Sequence, residues 1–151
     1  MGVGAAVGGA VFSAVGNYQS GKYNKSIADS NAAVAEWKAK DAIARGEKDV
    51  YDLRTQIKGL IGKQRAGYAG QGVDVNEGTA ADIQAQTAYL GELDAITLRN
   101  NAAREAYGYR VQGWNYSAQG KMAKFEGTAG AVGSLLTLGK LYPGTSSGGK
   151  K

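Results

Sequence analysis

Three groups of residues in this 151-residue chain have types and spacings that could do chemistry. Asp74, Asn76 and Gly78 resemble part of a calcium loop, with Asp74 and Asn76 at its first and third places, where side-chain oxygens ligate the ion, and Gly78 at the fifth. The twelfth place, where such a loop needs a bidentate glutamate, is Ala85. The run therefore reads as a polar turn, and no metal site is expected. Gly2-Val3-Gly4 opens like a dinucleotide-binding fingerprint, but Val7 stands where the third glycine belongs and no strand precedes it. No cofactor is expected. Trp37, Tyr107, Tyr109 and Trp114 could stack on bases, but most lie at helical spacing that better suits a core or an interface.

Composition narrows the chemistry further. The chain has no cysteine and no histidine. Disulfide frameworks, zinc and haem sites of the usual kinds, and Ser-His or Cys-His nucleophiles are excluded. A carboxylate pair remains formally open. It would need a compact cleft and a carboxyl with a raised pKa, which long helices do not readily offer. No catalytic residue is assigned. The net charge of +5 favours polyanions or anionic membranes weakly.

The elements that position these residues are helical. Residues 1–21 hold no charged side chain, and Gly and Ala dominate. About 20 uncharged helical residues would span ~30 Å, near a bilayer's hydrocarbon thickness. The larger side chains, Val3, Val7, Val11, Phe12 and Val15, recur at helical spacing, and Gly4/Gly8 form a small-xxx-small pair that permits close helix packing. The segment lacks the positive start of a signal peptide. Over 22–66, Ile43, Val50 and Ile57 recur every seven residues, with Leu53 and Leu60 on a second phase. This predicts one long helix with an apolar seam. Residues 67–79 form a Gly-rich turn that includes Gly70, Gly72, Asp74, Asn76 and Gly78. Thr79 is the expected N-cap of the next helix, with Asp82 at its N3 position.

That helix is predicted over 80–126. Ile83, Leu90, Val111 and Phe125 share one heptad phase, and Leu93, Tyr107 and Trp114 its companion; Thr97, Asn100 and Arg104 make the middle of the seam polar. Residues 127–142 return to small and apolar types, with Val132, Leu135, Leu136 and Leu138 as the large ones. Residues 143–151 follow the single proline, Pro143, as a flexible basic tail. The expected fold is all-α: a long antiparallel helical hairpin with Gly/Ala-rich apolar ends, part of an oligomeric assembly. Pairing would bring Ile61 near Ile83, Trp37 near Val111 and Val34 near Trp114. Ile43, Val50, Leu53, Ile57, Leu60, Leu90, Leu93, Val111 and Trp114 are expected inward. The uncharged ends, with Val3, Gly4, Val7, Gly8, Val11, Phe12, Val15, Val132, Leu135, Leu136 and Leu138, are expected to lie together and to be membrane-active. Lysines and arginines lead in the first helix, and acids lead between Gly67 and Gly120. Exposed pairs across the helices would add about 0.2–1 kcal/mol each.

A resemblance rests on two runs. The first is Gly62 to Asp82: a basic helix end (Lys63-Gln64-Arg65), a small-residue patch, then Gly72-Val73-Asp74-Val75 and a Gly78-Thr79 helix start. The second contains Gly91-Glu92-Leu93-Asp94-Ala95 and closes on Arg104-Glu105-Ala106-Tyr107-Gly108-Tyr109-Arg110. Together they resemble a segment common in the internal virion proteins of short-tailed bacteriophages, over roughly the middle third of the chain. The chain is short for that family. The resemblance implies a non-enzymatic ejection protein, stored in the virion interior and delivered to the host cell envelope, where it helps form a conduit for the genome. The implied partners are further copies of itself, other ejection proteins, portal or tail proteins and host membrane lipid. A non-specific DNA or lipid-phosphate contact through Lys150 and Lys151 competes with the plainer reading of a solvated tail. A static virion core or tail-assembly component that never enters a membrane is the alternative.

Overall fold

A computed structural model describes the backbone of residues 3–141, and the side-chain surroundings of residue 9 and of residues 11–137. The chain is a helical hairpin of two elements, α1 (Val3–Gly70) and α2 (Gly78–Leu141). Within the described residues, 3–21 and 127–141 are therefore continuous with the long helices. Sequence explains the continuity: no proline interrupts either stretch, and the glycines within them lower helix propensity by about 1 kcal/mol each relative to alanine without breaking the hydrogen-bond ladder. The 143–151 tail lies outside the described residues.

The turn has a defined chemistry. Val73 N donates to Tyr68 O at 3.0 Å and Gly72 N to Ala69 O at 3.0 Å, the paired bonds of a Schellman helix end. That motif needs a left-handed residue, and Gly72 supplies it with φ of 75°. The Asp74 carboxylate accepts from Asn76 N at 2.8 Å, and Asn76 Oδ1 accepts from Arg65 at 3.1 Å. Gly78, with φ of 60°, opens α2 one residue before Thr79. The capping-box expectation is thus corrected. The first turn of α2 contains no acid, and the buried Gln84 amide ties the turn to the helix by donating to Val75 O and Ala80 O, both at 2.9 Å. A side chain from the second turn of the helix can serve this entry because Gly78 redirects the chain.

The helices pair in two compact units. In the unit of residues 35–111, the seam is made of small residues. Ala39, Ala42 and Ala106 are its fully covered centre, with Ile43 and Tyr109 packed against them, and Ala35, Ala95, Ala102, Val50, Gly46 and Gly91 are buried along it. A Cβ placed on Gly46 would lie 2.2 Å from the Ala102 Cβ, and one placed on Gly91 would meet Ile57 at 2.7 Å. Position 42 faces 106 in this register, which also puts positions 37 and 111 level. At the turn end, Ile61 shares a groove with Ala88 and Gly91, more than a turn beyond the Ile83 expected from the sequence.

In the unit of residues 1–34 and 112–151, the approach is closer still. A Cβ on Gly127 would stand 2.7 Å from Asn17 O and 2.8 Å from Gly21 Cα. Backbone meets backbone there, a spacing that glycine permits and that brings Cα–H groups to carbonyl oxygens. Ala14, Ala28 and Gly120 are buried in the same unit.

This seam corrects the expected one. Val50 is buried and Ile43, Leu53, Ile57 and Val111 are half-buried, but Leu60, Leu90, Leu93 and Trp114 are exposed. The reason is geometric. Helices that close to glycine–backbone contact leave no room for leucine or tryptophan on the facing ridges, so bulk is displaced outward. A buried alanine methyl contributes about 0.8 kcal/mol, against roughly 1.5–3 for a large aliphatic side chain, so this seam gives shape more than stability.

Candidate assembly surface

The outward face carries the large apolar groups. In the 35–111 unit, Trp37, Tyr51, Tyr89, Leu93, Ile96 and Tyr107 are exposed, Tyr51 by 71% and Trp37 by 66%. In the other unit, Val11, Phe12, Val15, Trp114, Val132, Leu135 and Leu136 are exposed, Phe12 by 83%. Val11, Val15 and Leu135 line one groove with Tyr18 and Lys22, which brings these three apolar side chains of the two ends together. The Lys22 ammonium sits 5.9 Å above the Tyr18 ring. Side chains of Val3, Gly4, Val7, Gly8 and Leu138 lie outside the described residues. Among the described residues, no helix is long and apolar enough to cross a membrane.

Charges flank the seam of the 35–111 unit. Arg45 reaches Glu105 at 2.9 Å and Asp41 at 3.0 Å, Arg99 lies 3.6 Å from Glu47, and Arg110 lies 3.9 Å from Glu36. Arg54 clasps Glu92 through two guanidinium nitrogens. The hydrogen bond from Arg54 holds the Glu92 carboxyl below its usual range, and the same bond raises Arg54. Glu105, and after it Asp41, raise Arg45; Asp52 raises Lys48. These groups are solvent-exposed, so each pair helps set register more than it adds stability.

The other candidate chemistry does not assemble. Among the described residues, no group of three acidic side chains could hold a metal. Asp74 and Asn76 are engaged in the turn, as described. The groove of Arg54, Ile57, Lys58, Ala88, Gly91 and Glu92 contains one carboxylate. Its shift runs opposite to that of a general acid. Trp37 and Trp114 lie outside the seam, whereas Tyr109 packs on it with Lys38 5.9 Å over its ring.

Sequence reasoning missed the seam itself. Its signal was present: Ala14, Gly21, Ala28, Ala35 and Ala42 recur every seven residues, as do Ala106, Gly113, Gly120 and Gly127. No protein-family model, curated protein or solved structure matches the chain.

Proposed function

We propose that the chain is a non-enzymatic internal virion protein of a short-tailed phage, stored in the capsid and ejected with the genome to help form a conduit across the host envelope. The observation that carries this reading is the inverted distribution of bulk. Alanine and glycine fill the seams while Trp, Tyr, Phe and Leu side chains face outward. A hairpin of this kind covers its large apolar surface among neighbours, which suits a subunit of a larger helical assembly. The likeness of residues 62–82 and 91–110 to the phage family supplies the setting. The uncharged ends are then the membrane-active part: their low hydrophobicity favours protein contacts in the virion and conditional insertion afterwards, and small-residue packing lets several copies close around a lumen with backbone groups satisfied.

One observation favours a second reading. The absence of a long apolar span among the described helices suits a static core or tail-assembly component. Liposome leakage separates the two. The proposal expects leakage from the full-length protein, loss when the first ~20 residues are removed, and reduced leakage with tighter membrane binding in the Gly4→Leu/Gly8→Leu variant. Equal leakage from full-length and truncated protein would exclude the N-terminal segment as the inserting element. No leakage from either would put the static reading ahead.

A further inference from the structure

The chain's positive charge is confined to one unit. Residues 35–111 hold eleven lysines and arginines and eleven acids, so that unit is neutral. The unit of residues 1–34 and 112–151 holds seven lysines against Asp29 and Glu126, which is the whole net charge of +5. Four of the seven gather at one level. Gly21 lies against Gly127, and Ala28 against Gly120. That register sets Lys22 and Lys25 of α1 level with Lys121 and Lys124 of α2, within about two helical turns. Lys25 pairs with Asp29. Among the described ion pairs none takes Lys22, Lys121 or Lys124, and all three are exposed.

The same lysines share an edge of the helix pair with apolar groups. Lys22 follows the seam residue Gly21, and Lys121 follows Gly120. In antiparallel helices the position after each seam residue falls on one common edge. Val15, after the buried Ala14, and Leu135, after the half-buried Ser134, belong to that edge too. The groove that holds Val11, Val15, Tyr18, Lys22 and Leu135 runs along it. The opposite edge is polar: Asn17, Ser20, Asn24 and Glu126 line a second groove there. The one acid of α2 in this unit therefore lies away from the lysines. Beyond them the apolar edge carries no charge, since residues 1–21 and 127–139 have none.

A basic and apolar edge backed by a polar one is the pattern of an element that lies in a membrane interface. Anionic headgroups attract the ammonium groups, tyrosine favours the interface, and aliphatic side chains gain from the acyl boundary. Duplex DNA would meet the same lysines, but its phosphates offer no apolar boundary for Val11, Val15 and Leu135. We propose that this edge docks on anionic phospholipid headgroups through Lys22, Lys121 and Lys124, with Val11, Val15 and Leu135 entering the acyl boundary. The contact lies in the interface and needs no helix that crosses the bilayer. It rests on the membrane-active part of the proposed function and names the lipid chemistry which that part selects.

Co-sedimentation of the full-length protein with vesicles tests it, comparing phosphatidylcholine alone with phosphatidylcholine mixed with phosphatidylglycerol. Binding should be tighter to the mixed vesicles and should fall as salt rises. Lys22→Gln/Lys121→Gln/Lys124→Gln should weaken it ~100-fold with helicity unchanged. Lys40→Gln/Lys58→Gln/Lys63→Gln removes the same charge from the neutral unit and should bind nearly as the parent does. Val15→Ser/Leu135→Ser should weaken binding to mixed vesicles by ~10-fold or more. Equal losses in the two glutamine variants would reduce the effect to net charge and overturn the edge. Vesicle binding indifferent to the serine substitutions, with duplex DNA held through the same three lysines, would overturn the lipid assignment. Leakage with no preference for anionic lipid would overturn the edge and leave the conduit reading standing. Edge-dependent binding without leakage would support the edge and count against the conduit. A parent chain that binds neither kind of vesicle would overturn both.

Discussion

The close seam makes opposite stability predictions for two glycines in the same helix. Gly46 and Gly59 both lie in α1. Alanine should be favoured over glycine at either place by about 1 kcal/mol of helix propensity. At Gly59 nothing stands within 4 Å of an added Cβ, so Gly59→Ala should stabilise by nearly that amount. At Gly46 the added Cβ falls 2.2 Å from the Ala102 Cβ. That methyl is fixed to the facing backbone and cannot rotate away. Restoring ordinary contact requires the helices to separate locally by more than an ångström, an overpacking cost of about 1–3 kcal/mol. Gly46→Ala should therefore lose the whole propensity gain and destabilise by up to ~2 kcal/mol net. Ala102→Gly on the same chain removes the obstructing methyl, and the double variant should recover most of the loss. The coupling in that double-mutant cycle should be about 1–3 kcal/mol. Urea unfolding followed by helical circular dichroism, at one fixed protomer concentration, measures all four chains. If Gly46→Ala stabilises as much as Gly59→Ala, or if Ala102→Gly gives no rescue, the small-residue seam is not the packing surface.

Other expectations follow from named contacts. Gly72→Ala forces a side chain into the left-handed region at φ 75° and should cost roughly 1–2 kcal/mol in the same urea assay, whereas Gly62→Ala, with open space around it, should not destabilise. Gly127→Ala places a Cβ 2.7 Å from Asn17 O; amide exchange should quicken around residues 14–28 and 120–134 while the 35–111 unit keeps its protection. The Glu92 carboxyl is held below its ordinary 4.5 by Arg54, so its contribution is complete above that value and is lost as pH falls through the lower folded-state pKa. Glu92→Gln should therefore flatten stability against pH on the acid side of 4.5 and leave the slope near neutrality unchanged. The raised Lys48 acts in the opposite window: its contribution is present below 10.5 and fades as pH rises through its higher folded value.

Much of the hairpin is legible in the sequence, because its signals are local. The absence of proline before Pro143, together with the glycines and the Asp-Asn pair between positions 70 and 78, dictates two helices and a turn. The left-handed Gly72 belongs to a helix-ending motif with its own sequence mark. The facing surfaces are less legible, because hydrophobic periodicity gives weight to Leu, Ile and Trp and little to alanine or glycine. Here the small residues repeat on one heptad phase and the large ones on others. Which phase faces inward depends on how closely two backbones can approach, a property of the pair and not of either helix. The Leu93-Tyr107-Trp114 phase reads as a seam in the sequence, yet its side chains are exposed in the hairpin. The entry to α2 was misread for a related reason: Thr79 and Asp82 match a capping pattern, yet Gly78 turns the chain so that Gln84 makes the stabilising bonds.

The delivery reading is tested most directly by following the protein through infection. Virions carrying a labelled copy of the chain would be adsorbed to host cells, and the label tracked between emptied particles and cell fractions as the genome enters. The account predicts that the label leaves the particle with the DNA and co-fractionates with the cell envelope, resisting salt extraction. Label retained in emptied particles after complete genome release would contradict it.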